Sequence, residues 1–293
     1  MDLPDFSKIF HESSKDLAKG HPLIPADSNE WPEEWKTTYY KAYPRLPKIA
    51  LDADLRGLDA DLRGPKADFF ELIKKRRSRR DFTRTLITKR ELSLLLKYSC
   101  GNMGPLEKSR HRRAQASGGA RFPIEVYPII FRSAQARTPK ESLDDPTGQA
   151  NADSPAKISK GNLGGQTQTD AENVLKAGLY HYNVKDHALD VLWDREFSDD
   201  DIGQIFTYPW VRDAAIGIVM TAGFSRNQSK YGERGDRYIL LEAGHIGQNI
   251  YLVSEALGLK CCALGGTRDE NLEKLIDIDG ITESVVYGFA VGK

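Results

Sequence analysis

Seven consecutive residues, Lys74, Lys75, Arg76, Arg77, Ser78, Arg79 and Arg80, hold six cations and one hydroxyl. Guanidinium forks match the oxygens of a phosphate, and a serine hydroxyl adds a further donor. The preceding residues have helical periodicity, so the cluster falls at a helix C-terminus, where the backbone dipole disfavours an anion. Any phosphate bound there is held by side-chain charge. The plainer alternative is a solvated basic face or a helix C-cap, and the cluster alone leaves both open. Other chemistries lack their patterns. Cys100, Cys261 and Cys262 offer no CxxC spacing and are expected as small buried hydrophobes in a reducing compartment. His181, His187 and His245 have no zincin spacing, so no metal is expected, and His245 reads as a hydrogen-bonding partner. The chain contains no P-loop and no G-x-G-x-x-G, which leaves a Rossmann nucleotide domain unsupported.

The elements that must position this cluster can be read from periodicity. Pro65 to Lys75 predicts a helix with Pro in its first turn and Phe69, Leu72 and Ile73 facing inward. Thr88-Lys89-Arg90-Glu91 is a capping box, and Leu92, Leu95 and Leu96 continue its helix. Ile124 to Phe131 predicts a strand, placed at an edge or irregular because Pro128 lacks a ladder donor. Gly178 to Tyr182 and Ala188 to Leu192 predict a strand pair with a turn near Lys185-Asp186. Ser198, followed by three aspartates, opens another helix. Ala214 to Thr221 is apolar throughout and predicts a buried central strand.

Tyr238 to Leu257 is the clearest helix. Ile239, Ala243, Ile246, Ile250, Val253 and Leu257 share one face. Gly244 and Gly247 inside it each cost about 1 kcal/mol against alanine, which predicts a close approach by another backbone or a flat ligand. Thr267 to Glu270 reads as a second capping box, and Ser284 to Val291 as a final strand. The irregular alternation predicts a layered α and β domain.

Around this domain, assigned to residues 65–293, the chain carries two unlike segments. Residues 1–64 crowd Trp31, Trp35, Tyr39, Tyr40 and Tyr43 among prolines, which predicts an arm packed on something larger. The arm ends in LDADLRG at 51–57 repeated at 58–64, too short for a repeat architecture. Residues 133–173 contain no aromatic residue and only three large aliphatics, Leu143, Ile158 and Leu163. Such a stretch buries too little to offset its ordering entropy and predicts a mobile insertion. Forty-two basic and forty-two acidic residues cancel, which argues against a general nucleic-acid binder. The N-terminus lacks an apolar signal segment, and the run Ala214 to Phe224 is too short to span a bilayer. A soluble cytoplasmic protein without a membrane partner is expected.

The motifs resemble a known family when taken in order. Arg76-Arg77-Ser78-x-Arg80-x-Phe82 resembles the FMN-binding signature of nitroreductases. The block from Arg113 through Ser117-Gly118-Gly119-Ala120, Pro123 and Glu125 to Tyr127 resembles the SagB-type (microcin-type) azoline dehydrogenases of that superfamily. So do Gly178-Leu179-Tyr180-His181-Tyr182, Glu242-Ala243-Gly244-His245 with Gln248-Asn249, Leu264-Gly265-Gly266, and the closing Tyr287 to Gly292. Lys230-Tyr231 stands where that group carries a Lys-Tyr pair used for proton transfer. The resemblance covers about residues 65–132 and 175–293, with a weaker echo at Phe10-His11-Glu12.

The resemblance implies an α+β nitroreductase-like FMN domain with a central mixed or antiparallel sheet flanked by helices, a homodimer that buries FMN between its chains, and dehydrogenation of thiazolines or oxazolines in a ribosomally made peptide, beside a cyclodehydratase. It implies that Arg76, Arg77, Ser78 and Arg80 hold the FMN phosphate and the ribityl or pyrimidine edge. It also implies that Ser117, Gly118 and Gly119 let backbone approach the flavin, and that Gly265 and Gly266 lie by its reactive face. Gln248 and Asn249 either contact the flavin or cap buried backbone. Free lysine and tyrosine titrate near 10, so Lys230 or Tyr231 must be shifted to act near neutrality. Two other functions share these residues: an NAD(P)H-dependent nitroreductase or quinone reductase, and a non-catalytic flavin- or peptide-binding scaffold.

Overall fold

The two apolar runs around residues 124–131 and 214–222 become the middle of a seven-stranded sheet in this computed structural model, which describes residues 6–15, 27–52, 68–105, 111–133 and 175–293. The strands are β1 (Lys48–Ala50), β2 (Asn102–Pro105), β3 (His111–Arg113), β4 (Ile124–Ile130), β5 (Gly178–Asn183), β6 (Ala188–Trp193), β7 (Ile216–Gly223), β8 (Lys260–Leu264) and β9 (Glu283–Gly292). The helices are α1 (Phe6–Ser13), α2 (Glu33–Lys36), α3 (Phe69–Lys75), α4 (Lys89–Cys100), α5 (Asp199–Ile205), α6 (Ser225–Tyr231), α7 (Arg234–Ala256) and α8 (Asp269–Ile276). The large sheet runs β1-β6-β5-β4-β7-β9-β8, and its pairings are antiparallel. β2 and β3 form a separate hairpin.

Both faces of the sheet are covered, which explains the unbroken apolar runs. Ile124, Val126, Ile216, Ile218 and Met220 pack against Leu92, Leu95 and Leu96 of α4 and Ile239, Ala243, Ile246 and Ile250 of α7. Tyr127, Ile129, Phe131 and Val219 point the other way, against Ile202, Ile205 and Phe206 after α5 and Leu272 and Ile276 of α8. The strand period of two sends alternate residues to the two layers.

Most local signals are realised. The Thr88–Glu91 capping box forms, and so does one at Ser198 with Asp201. The predicted β5–β6 pair and the central place of β7 are present. Four expectations change. β4 lies inside the sheet, not at an edge, but it is irregular at Pro128 as the alternative had it: its ladder to β7 is complete from Ile124 to Ile130, while its register to β5 covers only Ile129 and Ile130. That ladder stops beside Pro128, where the missing donor falls on the β5 side. The helix predicted from Pro65 starts at Phe69, capped by Asp68, and Phe69, Phe70 and Ile73 are exposed, not inward. The helix predicted from Tyr238 starts earlier, at Arg234. At α8 no capping box forms: the Thr267 hydroxyl donates to the Asp269 carboxylate at 2.5 Å.

The N-terminal arm lies on the domain. β1 pairs with β6, and Trp35 is buried. The insertion from residue 134 onward, and the LDADLRG repeat beyond Asp52, lie outside the described residues. No helix among the described residues is long and apolar enough to cross a membrane.

Candidate cofactor and catalytic site

The arginine cluster follows α3 along the outer edge of β8. The Arg79 N–H donates to Cys261 O at 2.9 Å, so this segment is held to the sheet by its backbone. Arg76 lies 5.1 Å from the Tyr251 ring, and Ser78 Oγ is 2.9 Å from the Tyr251 hydroxyl, which accepts the Ala263 N–H at 2.8 Å. Tyr251, one of the last residues of α7, therefore ties cluster, helix and strand together. Arg80 lies 5.8 Å from the Trp210 ring, and Trp210 stacks on Tyr208 at 5.4 Å. A methyl on Gly266 would overlap the Thr207 hydroxyl and come within 3.0 Å of the Tyr208 ring. Arg80, Trp210, Tyr208 and Gly266 thus form one chain of neighbours. Gly265 has open space where a Cβ would stand. Arg77 behaves differently, turning back to donate to the carbonyls of Lys74 and Arg76 at 3.0 and 2.9 Å.

At the other end of α7 lies the glycine loop. Gly119 has φ +62°, and Ala120 and Phe122 also take left-handed φ, at +55° and +48°. Strain of this kind persists where the surroundings impose it. A methyl on Gly118 would stand 3.3 Å from Tyr238 Cβ. One on Gly119 would overlap the Tyr231 hydroxyl and lie 3.2 Å from Lys230 Nζ. Residues about 110 positions apart in the chain are thereby brought to one point, which only glycine lets them share. Ser117 accepts the Phe122 N–H at 2.9 Å, closing the loop.

Lys230 is 1% exposed. Its Nζ lies 3.2 Å from the centre of the Trp31 ring, 5.4 Å from that of Trp35 and 5.5 Å from that of Tyr231. Tyr231 is half-buried and packs edge-on to Tyr238 at 4.9 Å. Burial, and then the neighbouring Tyr238, push the Tyr231 phenol above its ordinary value, so it is neutral at pH 7.

Leu241, Gly244, His245 and Gln248 form the exposed face of α7 between these two ends. Gly244 has open space at its Cβ position, whereas a methyl on Gly247 would stand 2.8 Å from the Phe289 ring, so the close approach expected at the two glycines is to β9 at one and to no described atom at the other. From Glu242 to Tyr251 the helix advances about 14 Å at 1.5 Å per residue. His245 Nδ1 lies 3.2 Å from Ala116 O, and the Asn249 amide donates to Ser99 O at 3.1 Å. Asn249 therefore caps buried backbone, while Gln248 is exposed.

Several side chains here were given no role from the sequence. Glu242 is buried under the glycine loop, where Gln115 donates to its Oε1 at 3.1 Å. Burial lifts its pKa to about 7, against hydrogen bonds from Ser117 and Gln115 that lower it. Its Oε2 and Gln115 Oε1 have no hydrogen-bond partner among the described residues. Tyr251, Tyr208 and Trp210 carried no pattern beyond being aromatic. On the opposite sheet face, His181 Nε2 and Nδ1 lie 3.0 and 3.1 Å from the carboxylates of Glu125 and Asp190. Burial works against the charged ring, but these two bonds raise the His181 pKa. Glu125, also paired to Arg226 at 2.6 Å, falls to about 2 despite its burial. Strand spacing predicts which residues share a face; it does not reveal that three adjacent strands each place one charged residue there.

A sequence model described as the nitroreductase family matches residues 73–293. A Methanocaldococcus jannaschii protein named as a nitroreductase is 24% identical over 208 residues, 71% of this chain and 83% of that protein. The trifolitoxin-processing protein TfxB of Rhizobium leguminosarum bv. trifolii is 26% identical over 208 residues; the match takes in 68% of this chain but only 46% of TfxB. Among solved structures, the E. coli microcin synthetase McbBCD complex with truncated pro-MccB17 bound contains a chain with a TM-score of 0.53 at 18% identity, covering 98% of this chain and 91% of that one.

Proposed function

We propose that this chain, which belongs to the nitroreductase family, is an FMN-dependent oxidoreductase that dehydrogenates azoline rings in a modified peptide. The observation that carries the reading is the meeting of Lys230 and Tyr231 with Gly119, beside a strip whose far end is the arginine cluster. A flavin-binding scaffold would not need a lysine and a tyrosine walled in at that point. The similarity to TfxB, named for toxin processing, supports a peptide substrate.

The residues suit FMN. Arg76 and Ser78 meet Tyr251 at the end of that strip, and Arg80 lies against Trp210, whose neighbour Tyr208 leads to Gly266. They would hold the phosphate by side-chain charge, since α3 presents its negative end there. The backbone is bare at Gly265 and Gly244, where nothing described stands within 4 Å of an added Cβ, which suits a flat ring. Ser117, Gly118 and Gly119 line the other end. When bound, FMN supplies the acceptor for the hydride that leaves the azoline ring.

The ring must also lose a proton. The Tyr231 hydroxyl, at the Gly119 loop, takes the position next to the substrate. Because burial keeps it a neutral phenol, it takes the ring proton only as it gives its own hydroxyl proton to the free-amine form of Lys230, which becomes the ammonium. The exposed apolar side chains Phe69, Phe70, Ile73, Leu240 and Leu241, on α3 and α7, favour a second copy of the chain as their cover. An azoline-forming cyclodehydratase must supply the substrate.

The test is a visible absorption spectrum of the purified protein, taken anaerobically with an azoline-containing peptide and, separately, with NADPH. Bleaching of a flavin spectrum by the peptide, lost in Lys230→Ala and Tyr231→Phe while flavin stays bound, is the expected result. Full activity in both variants sinks the proton role. Rapid bleaching by NADPH, and none by the peptide, moves the assignment to nitro- or quinone reduction.

A further inference from the structure

Lys230 is buried by residues that the family match does not include. That match begins at residue 73, whereas the two indoles facing Lys230 Nζ, Trp31 and Trp35, belong to the N-terminal arm. The two rings meet edge to face at 6.5 Å, so they form a corner and not a single wall. Trp35 is itself buried, and Trp31 is half-buried.

The arm is fastened here by more than these rings. Arg121, buried at the end of the glycine loop, donates through Nη1 to Glu34 O at 2.6 Å. Its Nε donates to Arg226 O at 2.7 Å, and its Nη2 lies 3.4 Å from Ser229 Oγ. One guanidinium thus joins α2 of the arm to α6, the helix that carries Lys230. Aromatic faces attract a cation most when water is excluded, and indole does so best, so the corner suits the ammonium that Lys230 becomes on taking a proton.

We propose that the N-terminal arm is part of the active site, with Trp31 and Trp35 as positioning residues that enclose Lys230 and aim its amine at the Tyr231 hydroxyl. The inference rests on the proton role proposed for Lys230. It assigns the arm a task in the reaction, and it leaves Tyr231 as the member of the pair that a substrate can reach. Loss of the indole at Trp31 lets the long lysine side chain swing away, without touching the cofactor strip or the two cores.

The test uses the full chain with flavin bound. Wild type, Trp31→Leu, Trp31→Gln and Trp31→Phe are treated with acetic anhydride at fixed pH, and acetylation at Lys230 is followed by mass spectrometry. Turnover of an azoline-containing peptide is measured in parallel for these proteins and for Lys230→Ala. Lys230 is expected to be protected in wild type and in Trp31→Phe, and to be labelled about tenfold faster in Trp31→Leu and Trp31→Gln. Turnover should fall about tenfold in kcat in the Leu and Gln variants, with KM little changed, and Trp31→Phe should restore most of it. Two non-aromatic replacements keep the test open if one of them does not fold. Unchanged labelling in both, or faster labelling with wild-type kcat, overturns the inference. Wild-type turnover in Lys230→Ala instead overturns the proton role on which it rests, and the labelling still reports whether the arm encloses the lysine.

Discussion

Replacing Glu242 by Gln should stabilise the protein at pH 8 and change it little at pH 5. The carboxyl is 1% exposed, and its folded pKa is raised from 4.5 to about 7 by burial. For an acid whose folded pKa is raised, the folded state favours the protonated form. Its contribution is fully present below 4.5 and is lost as pH rises through about 7. The gap between 4.5 and about 7, at about 1.4 kcal/mol per pH unit, amounts to about 3 kcal/mol as a ceiling. An amide cannot ionise, so the variant escapes this loss. It also resembles the protonated acid in bonding, because its NH₂ can donate to Gln115 Oε1, which has no partner among the described residues. The groups bearing on Glu242 are Gln115 and Ser117 of the loop, Arg113 of β3 and Arg226 of α6. The assay is urea denaturation of both proteins at pH 5, 6, 7 and 8, with saturating flavin throughout. The stability difference should grow toward high pH and approach the ceiling by pH 8. A difference that is flat with pH, or a variant that is weaker at pH 8, refutes the reasoning that burial holds this carboxyl near neutrality.

Other outcomes follow from the same geometry. Gly119→Ala places a Cβ on the Tyr231 hydroxyl at a left-handed φ, so it should cost at least about 1 kcal/mol and lower kcat, read by denaturation and turnover. Arg76→Ala and Arg80→Ala should each weaken flavin retention about tenfold, as for one lost charge-assisted contact, while Arg77→Ala, whose side chain bonds the carbonyls of Lys74 and Arg76, should leave it nearly unchanged in a fluorescence titration. His181→Leu leaves Glu125 and Asp190 facing each other without the ring between them and should cost about 3–5 kcal/mol, seen as a large drop in melting temperature. Phe70→Asp should favour a monomer by light scattering if the exposed apolar side of α3 is covered by a second copy.

Much of this was legible in the residues themselves. The apolar run at 214–221, the capping box at Thr88, the helix start at Ser198 and the helical face from Ile239 to Ile250 are local patterns, and local patterns survive into the fold because each depends on neighbours in sequence. The cationic cluster announced its charge for the same reason. What the sequence could not decide was partnership. Pro128 marks a missing donor, but whether that falls on an edge or inside a sheet depends on which strands arrive beside it. Phe69 and Ile73 have the spacing of a buried face, yet in this chain nothing described covers them. Within the cluster, only packing separated Arg77, which caps its own helix, from Arg76 and Arg80, which lie against Tyr251 and Trp210. The corner of Trp31 and Trp35 around Lys230 joins residues nearly two hundred positions apart, and Glu242 becomes a neutral-range acid only because other elements exclude water from it. Desolvation and ring contacts are properties of an assembled interior, and no single segment of the chain carries them.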